Sequence, residues 1–288
     1  MPYIYLISSV FFSASSSVLG TYFNRKNEGK KDTSAFYNLL LMASVFLCWA
    51  VFYAIDFDFN IKVLPYSLLF ALCYTFCNIG IINALKNGPA TLTALFVSLS
   101  MLLTTIWGFF FWNDKVTIPV VIGLVLVVAS MTLCLYTGKK EEKKISLKWL
   151  LFVAMAFFGN AGCSITQRTQ QTQFNGEYAE MLMAFATLFS CLVCFLIWLR
   201  SDRIDSKVIF KRSWGFPVVA GAANFLLNYF VILLAMSKLS PSLIYPVIGV
   251  GSLAVVTMFS LFVFKEKLKW WQWVGLVIGA VATLLLSI

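Results

Sequence analysis

Histidine is absent from this 288-residue chain, and charged residues make up only 12% of it. The first absence excludes imidazole acid–base catalysis, histidine metal sites and Ser-His-Asp triads. The second excludes an ordinary soluble fold, which carries about 25% charged residues. With 60% hydrophobic residues and a mean hydropathy of +0.86, such a fold would turn apolar surface to water. Carboxylates are missing from the centres of the apolar runs: Asp56, Asp58, Asp114, Glu177, Glu180 and Glu266 all stand at or beyond run ends. That argues against a buried cation–carboxylate pair and against proton exchange through an intramembrane acid. The seven cysteines lie inside apolar runs, and Cys191-x-x-Cys194 lacks the second pair or histidine that a zinc site needs. They read as small hydrophobes.

What is present is a series of long apolar runs. A helix needs about 20 mostly apolar residues to cross a bilayer. Ten such runs occur: Pro2 to Tyr22, Ala35 to Ile55, Leu64 to Leu85, Pro89 to Trp112, Ile118 to Thr137, Leu147 to Arg168, Ala179 to Leu199, Trp214 to Met236, Pro241 to Phe264 and Trp270 to Ile288. Backbone groups in lipid must be satisfied within the segment, and no alternating ten-residue barrel pattern occurs, so each run is expected to be a helix. The first run has neither a basic leader nor a small-residue cleavage site and reads as the first span.

The net charge of +10 comes from 22 Lys and Arg against 12 Asp and Glu. Eighteen of these cations follow odd-numbered spans: Arg25, Lys26, Lys30 and Lys31; Lys86; Lys139, Lys140, Lys143, Lys144 and Lys148; Arg200, Arg203, Lys207, Lys211 and Arg212; Lys265, Lys267 and Lys269. Only Lys62, Lys115, Arg168 and Lys238 lie on the other side. The positive-inside rule places the odd loops in the cytoplasm and both termini outside a bacterial-type plasma membrane. Because the cations flank spans, the expected partner is a bilayer with anionic headgroups and no nucleic acid.

The chain also repeats itself. An offset of 152 residues pairs Lys86 with Lys238, Pro89 with Pro241, Ser100 with Ser252, Thr105 with Thr257, Asp114 with Glu266, Lys115 with Lys267 and Gly123 with Gly275. Prolines, glycines and an acid–Lys pair in one ungapped register do not match by hydrophobicity alone. Five spans per half would insert the halves with opposite orientation, as in secondary transporters whose substrate site lies between repeats. The expected organisation is a first five-helix repeat at 1–138, a charged cytoplasmic linker at 139–147 and a second, inverted repeat at 148–288.

On these residues the chain resembles the ten-helix, EamA-type members of the drug/metabolite transporter superfamily. The resemblance rests on the span count, the links Lys86-Asn87-Gly88-Pro89 and Lys238-Leu239-Ser240-Pro241, and the Lys115/Gly123 and Lys267/Gly275 spacings. Phe157-Phe158-Gly159-Asn160 adds an aromatic–glycine pair early in the sixth span, whereas the first span departs with Phe11-Phe12-Ser13. The resemblance implies a carrier for amino acids, amines, nucleotide-type metabolites or related solutes, working without a metal or organic cofactor. It implies no enzymatic activity.

Polar groups deep in spans are costly and face a cavity or another helix. Tyr74 and Asn78 in the third span, and Asn224 and Asn228 in the eighth, are four apart and share a face. Either they line a site or they bond helix to helix. Ser100 and its counterpart Ser252 share a polar face with Tyr245 and with the counterpart Thr93. Asn160, Ser164 and Gln167 form one stripe that ends beside Arg168, which either meets an anionic group or snorkels to headgroups. Pro246 removes a backbone bond within the ninth span and marks a kink, a device of gating carriers as well as a commonplace of membrane helices. Ser13, Ser15, Ser16 and Ser17 read as packing residues, and Gly275-x-x-x-Gly279 as a small-residue face, either within the monomer or in a weak homodimer.

The expected substrate-binding set is therefore Tyr74, Asn78, Ser100, Asn160, Asn224, Asn228, Tyr245 and Ser252, with Pro246 as a gating kink. Neutral amides and hydroxyls suit a small polar or amphipathic metabolite, best an amino acid or small amine, moved by alternating access. Two alternatives carry less: a lipid-linked substrate flippase, which needs a basic phosphate site, and a membrane enzyme, which needs a catalytic cluster.

Overall fold

The computed structural model describes residues 2–55, 57–112, 117–135, 146–202, 204–235 and 241–285, with the side chains of all of these except 2, 135, 235 and 241–246. Its regular elements are helices: α1 (Pro2–Lys26), α2 (Thr33–Ile55), α3 (Leu64–Asn87), α4 (Ala90–Ser98), α5 (Met101–Phe111), α6 (Ile118–Leu135), α7 (Leu147–Gln173), α8 (Ala179–Arg200), α9 (Ser206–Ser213), α10 (Gly215–Ala235), α11 (Pro241–Phe262) and α12 (Trp270–Leu285). A 3-10 turn at Ile61–Val63 leads into α3; Asn60 caps it by accepting the Lys62 amide at 3.1 Å. Among the described residues, seven helical segments are long and apolar enough to cross a membrane, and three shorter ones are apolar. Large side chains such as Leu47, Val51, Leu72, Phe110, Val125, Leu196 and Val277 point outward, as the surface of a lipid-embedded bundle requires.

The fourth run, expected as one helix, is two. α4 ends at Ser98 and α5 begins at Met101. Ser98 Oγ donates to Ala94 O at 3.0 Å and Ser100 Oγ to Val97 O at 2.7 Å. Hydroxyls that bond their own backbone compete with the helical ladder and loosen it. The loop after the seventh run also holds an element that hydropathy did not predict, the amphipathic helix α9. It buries Ser206, Ile209 and Ser213 and exposes Lys207, Phe210, Lys211 and Arg212.

The helix pairs follow the internal repeat. The 152-residue register carries α3 onto α10 and α1 onto α7. α3 packs extensively on α7, and the counterpart pair α10 and α1 packs likewise. α2 with α8, and α6 with α12, are each a helix and its own counterpart, and both pairs are in close contact. The halves are interleaved, so most core seams join one repeat to the other.

The tightest seam is α3 against α7. A Cβ at Gly80 would stand 2.6 Å from Ala156 N, and one at Gly159 2.7 Å from Cys77 N. Each glycine lies on the partner's backbone, the small-residue packing of membrane helices. Gly275 and Gly279 of α12 likewise leave no room for a Cβ, the first against Cys134 Sγ and the second against Leu95 Cδ1 and Ser130 Oγ, and Ser130 Oγ donates to Gly275 O at 2.7 Å. That small-residue face is used within the chain.

The loops at one end are tied together. Asn27 Nδ2 donates to Ser213 Oγ at 3.1 Å. Asp205 accepts the Lys31 amide at 3.0 Å and lies 3.4 Å from Lys30 Nζ. The Lys31 amide first, and the Lys30 ammonium beside it, hold the Asp205 carboxyl below its ordinary value.

Two outcomes follow. Gly80→Ala, placing a methyl against backbone, should cost about 1–3 kcal/mol of stability, read as a lower thermal midpoint in detergent. Gly215→Ala, which meets nothing within 4 Å, should leave the midpoint in place. Because the folded state favours ionised Asp205, its contribution is present above the ordinary value of 3.8 and is lost as pH falls below it. Thermal midpoints between pH 5 and pH 3 should thus fall less steeply in Asp205→Asn than in the parent, a comparison made in about the range where carboxylates titrate.

Candidate functional site

A cavity of about 280 Å³ lies midway along the bundle. α1, α2, α3 and α4 reach it from the first half, and α7, α8, α10 and α11 from the second. Six expected residues line it: Tyr74, Asn78, Asn160, Asn224, Asn228 and Ser252. Ser100 is buried just behind the wall and joins it through Asn160. Pro246 and Tyr245 lie within α11, and their side chains are outside the described residues.

Two polar knots shape the cavity. In the first, Asn224 Oδ1 accepts from Tyr74 Oη at 2.8 Å and from Asn228 Nδ2 at 3.1 Å. Asn228 Nδ2 also reaches Asn224 O at 2.9 Å, and Asn78 Nδ2 reaches Tyr74 O at 2.9 Å. The i to i+4 spacing within α3 and α10 aligns each pair, and the Tyr74–Asn224 bond ties the two halves together. In the second knot, Asn160 Nδ2 donates to Ser100 Oγ at 2.7 Å and to Val97 O at 3.4 Å. These partners sit at the break between α4 and α5, so a side chain from α7 ties the broken span. Tyr74 with Asn224 and Asn160 with Ser100 bond helix to helix, Asn78 and Asn228 bond within their own helices, and all of them but Ser100 line the cavity.

Several lining residues were missed or assigned elsewhere. Ser13, Ser16 and Ser17 of α1 line the cavity, where packing was expected of them. Ser164 and Gln167 continue the stripe from Asn160 and line it too, so their spacing of four and three was a usable signal. Thr93, Ser98 and Thr187 add hydroxyls, while Trp49 and Phe70 add aromatic surface. Arg168 is exposed and stacks 4.2 Å over the Trp112 ring instead of entering the cavity.

Carboxamides and hydroxyls both donate and accept. Among the described residues no lining side chain carries a charge. Such a chamber can exchange hydrogen bonds with a solute of small net charge while imposing no buried ion of its own.

An all-helical bundle of two interleaved halves around a neutral polar chamber is built as a membrane carrier. The chain belongs to the EamA-like transporter family, which matches residues 1–136 and 147–288. It is a multi-pass membrane protein of the drug/metabolite transporter superfamily, and its family is one of transporters. No curated protein matches it in sequence. One solved crystal structure superposes with a TM-score of 0.58 at 12% identity, covering 96% of each chain. At that identity the likeness is one of fold.

The second knot is open to a double-mutant test. Asn160→Ala and Ser100→Ala should each destabilise the protein by about 1 kcal/mol, with a coupling of at least about 0.5 kcal/mol. Thermal midpoints of the two single variants and the double variant measure it.

Proposed function

We propose that the chain is a secondary carrier that moves a small, net-neutral polar metabolite, in the first instance a zwitterionic amino acid, by alternating access. One observation carries this reading: the chamber is lined from both halves by carboxamides and hydroxyls, with no charged lining residue among those described. A buried charge left without a partner is expensive, so a neutral wall favours a solute whose charges balance. A small amine held by cation–π contact with Trp49 or Tyr74 is the variant of this proposal with the higher desolvation cost. In this reading Tyr74, Asn78, Asn160, Asn224, Asn228 and Ser252 contact the solute, and Tyr245 is a further candidate. Ser100 positions Asn160, and Pro246 bends α11 during the cycle.

The same reading has ten crossings, in halves at 1–138 and 148–288 joined by the charged linker at 139–147. The broken α4–α5 pair counts as one crossing. The odd loops face the cytoplasm of a plasma membrane rich in anionic lipid. Contacts between loops support that alternation. Asp205 meets Lys30, and Arg25 donates to Phe264 O at 2.9 Å, all within odd loops or their edges. Arg168 stacks on Trp112 at the opposite ends.

A thermal-shift screen of the purified protein against amino acids, amines, nucleobases, vitamins, sugar phosphates and lipid-linked phosphates tests the proposal. A ligand at 100 times its dissociation constant adds about 2.7 kcal/mol. The expected hit is a neutral amino acid, with the shift lost in Asn228→Ala and Tyr74→Phe. Stabilisation by lipid-linked phosphates alone would replace the carrier reading with that of a flippase.

A further inference from the structure

The two ends of the bundle are packed unequally. Under the repeat register, α1 against α3 corresponds to α7 against α10. α1 and α3 pack together near Lys86: Asn24 Nδ2 donates to Ile82 O at 2.9 Å, and a Cβ on Gly20 would stand 3.0 Å from Leu85 Cδ1. Among the described residues, α7 and α10 make no comparable packing. On the Lys86 side of the chamber α1 and α3 are thus drawn together.

At that end the loop between α11 and α12 crosses to the first half. Arg25 donates to Phe264 O at 2.9 Å and stacks 4.6 Å over the Phe264 ring. Two residues on, the Glu266 carboxylate accepts the Ala90 amide at 2.9 Å, the Thr91 amide at 3.5 Å and the Thr91 hydroxyl at 3.4 Å. Ala90 and Thr91 open α4, and amides of a first helical turn have no partner within their helix. They also form the positive end of the helix dipole. A carboxylate from one half thus neutralises the free end of a half-helix from the other. The far end of α4 is tied by Asn160 at Val97 and Ser100, and Thr93, Ala94, Val97 and Ser98 between them line the chamber.

We propose that Glu266 is a positioning residue of the transport cycle: its carboxylate latches the first turn of α4 and keeps the chamber shut at the Lys86 end. Opening that end requires the loop to withdraw and the α4 amides to pass to water. Carboxylate chemistry suits the task because both oxygens accept and neither donates, so one side chain serves three donors. Glutamine retains one accepting oxygen and adds an amino group facing other donors, so it latches less well; alanine does not latch at all. The inference rests on the carrier reading for its meaning, but its test needs no solute.

The test places a single thiol in the chamber wall, Ala94→Cys, in a background with the native cysteines replaced. Labelling by a membrane-impermeant methanethiosulfonate is followed from each face in right-side-out and inside-out vesicles. Labelling from the Lys86 face should be slow in the parent. It should rise about five- to tenfold in Glu266→Ala, the shift that loss of one helix cap produces, and by less in Glu266→Gln. Labelling from the opposite face should not rise, whereas general loosening of the fold would raise both. An unchanged rate from the Lys86 face in a folded Glu266→Ala protein, or equal rises from both faces, overturns the latch. If Glu266→Ala does not fold, Glu266→Gln decides alone, and no rise there overturns it equally. A solute shift that survives in the parent while the latch fails leaves the carrier reading standing. Gated labelling with no binding of any solute keeps the latch and removes the proposed substrate.

Discussion

The direct backbone contact of α3 with α7 is the constraint on which the chamber depends. Gly80 and Gly159 let two helices from opposite halves approach until neither position has room for a methyl group. Asn78 lies two residues from the first glycine and Asn160 next to the second, so the approach sets their carboxamides around one space. A wider seam would carry Asn160 away from Ser100 and Val97 and leave the broken fourth span without its side-chain tie. In lipid, where helices gain nothing by leaving water together, such close van der Waals contact and interhelical hydrogen bonding must supply the association.

Neutrality of the chamber follows from the same economy. A polar group in a membrane interior must find a partner, and the chamber meets this demand in part by pairing the Asn224 and Asn160 carboxamides with hydroxyls of the other half. Tyr74 to Asn224, and Asn160 to Ser100, are bonds within the protein that lie on the chamber wall. A solute that takes over one of these partners exchanges a hydrogen bond and exposes none. It also loosens the tie between helices at that point. Substrate recognition and the packing of the proposed moving parts would therefore use the same atoms, which is how binding energy can bias a conformational equilibrium.

Much of this was legible in the sequence because the relevant signals run along one dimension. Apolar run length marks the spans, and the shared register of Pro89/Pro241, Gly123/Gly275 and Asp114/Glu266 marks the repeat. Polar pairs four apart then pick out the chamber residues of α3 and α10. The break at Leu99–Ser100 was not legible, since no proline or glycine stands there and serine is common in membrane helices. Pro246, the proline that sequence does mark, lies within the continuous helix α11. The serines of α1 were read as packing because spacing reports which residues share a face, not whether the facing helix stands back. Helix α9 was missed because eight residues with Lys207, Lys211 and Arg212 resemble any charged loop in a hydropathy scan.

The internal repeat gives the unequal ends their meaning. If two inverted halves had identical surroundings, the α1–α3 and α7–α10 contacts would be equally close. Among the described residues they are not, so the sequence register and the packing differ there at one pair of helices. Under the alternating access proposed above, a second arrangement would be the one in which the roles of the two pairs are exchanged. The contacts that would then change are those at the helix ends, among them the Asn24–Ile82 and Glu266–Ala90 bonds. α2 with α8 and α6 with α12 are each mapped onto themselves by the repeat, so the exchange leaves them in place. In the proposed cycle they would be the axis about which the halves rock. The proposed site lies between that axis and the ends that trade contacts.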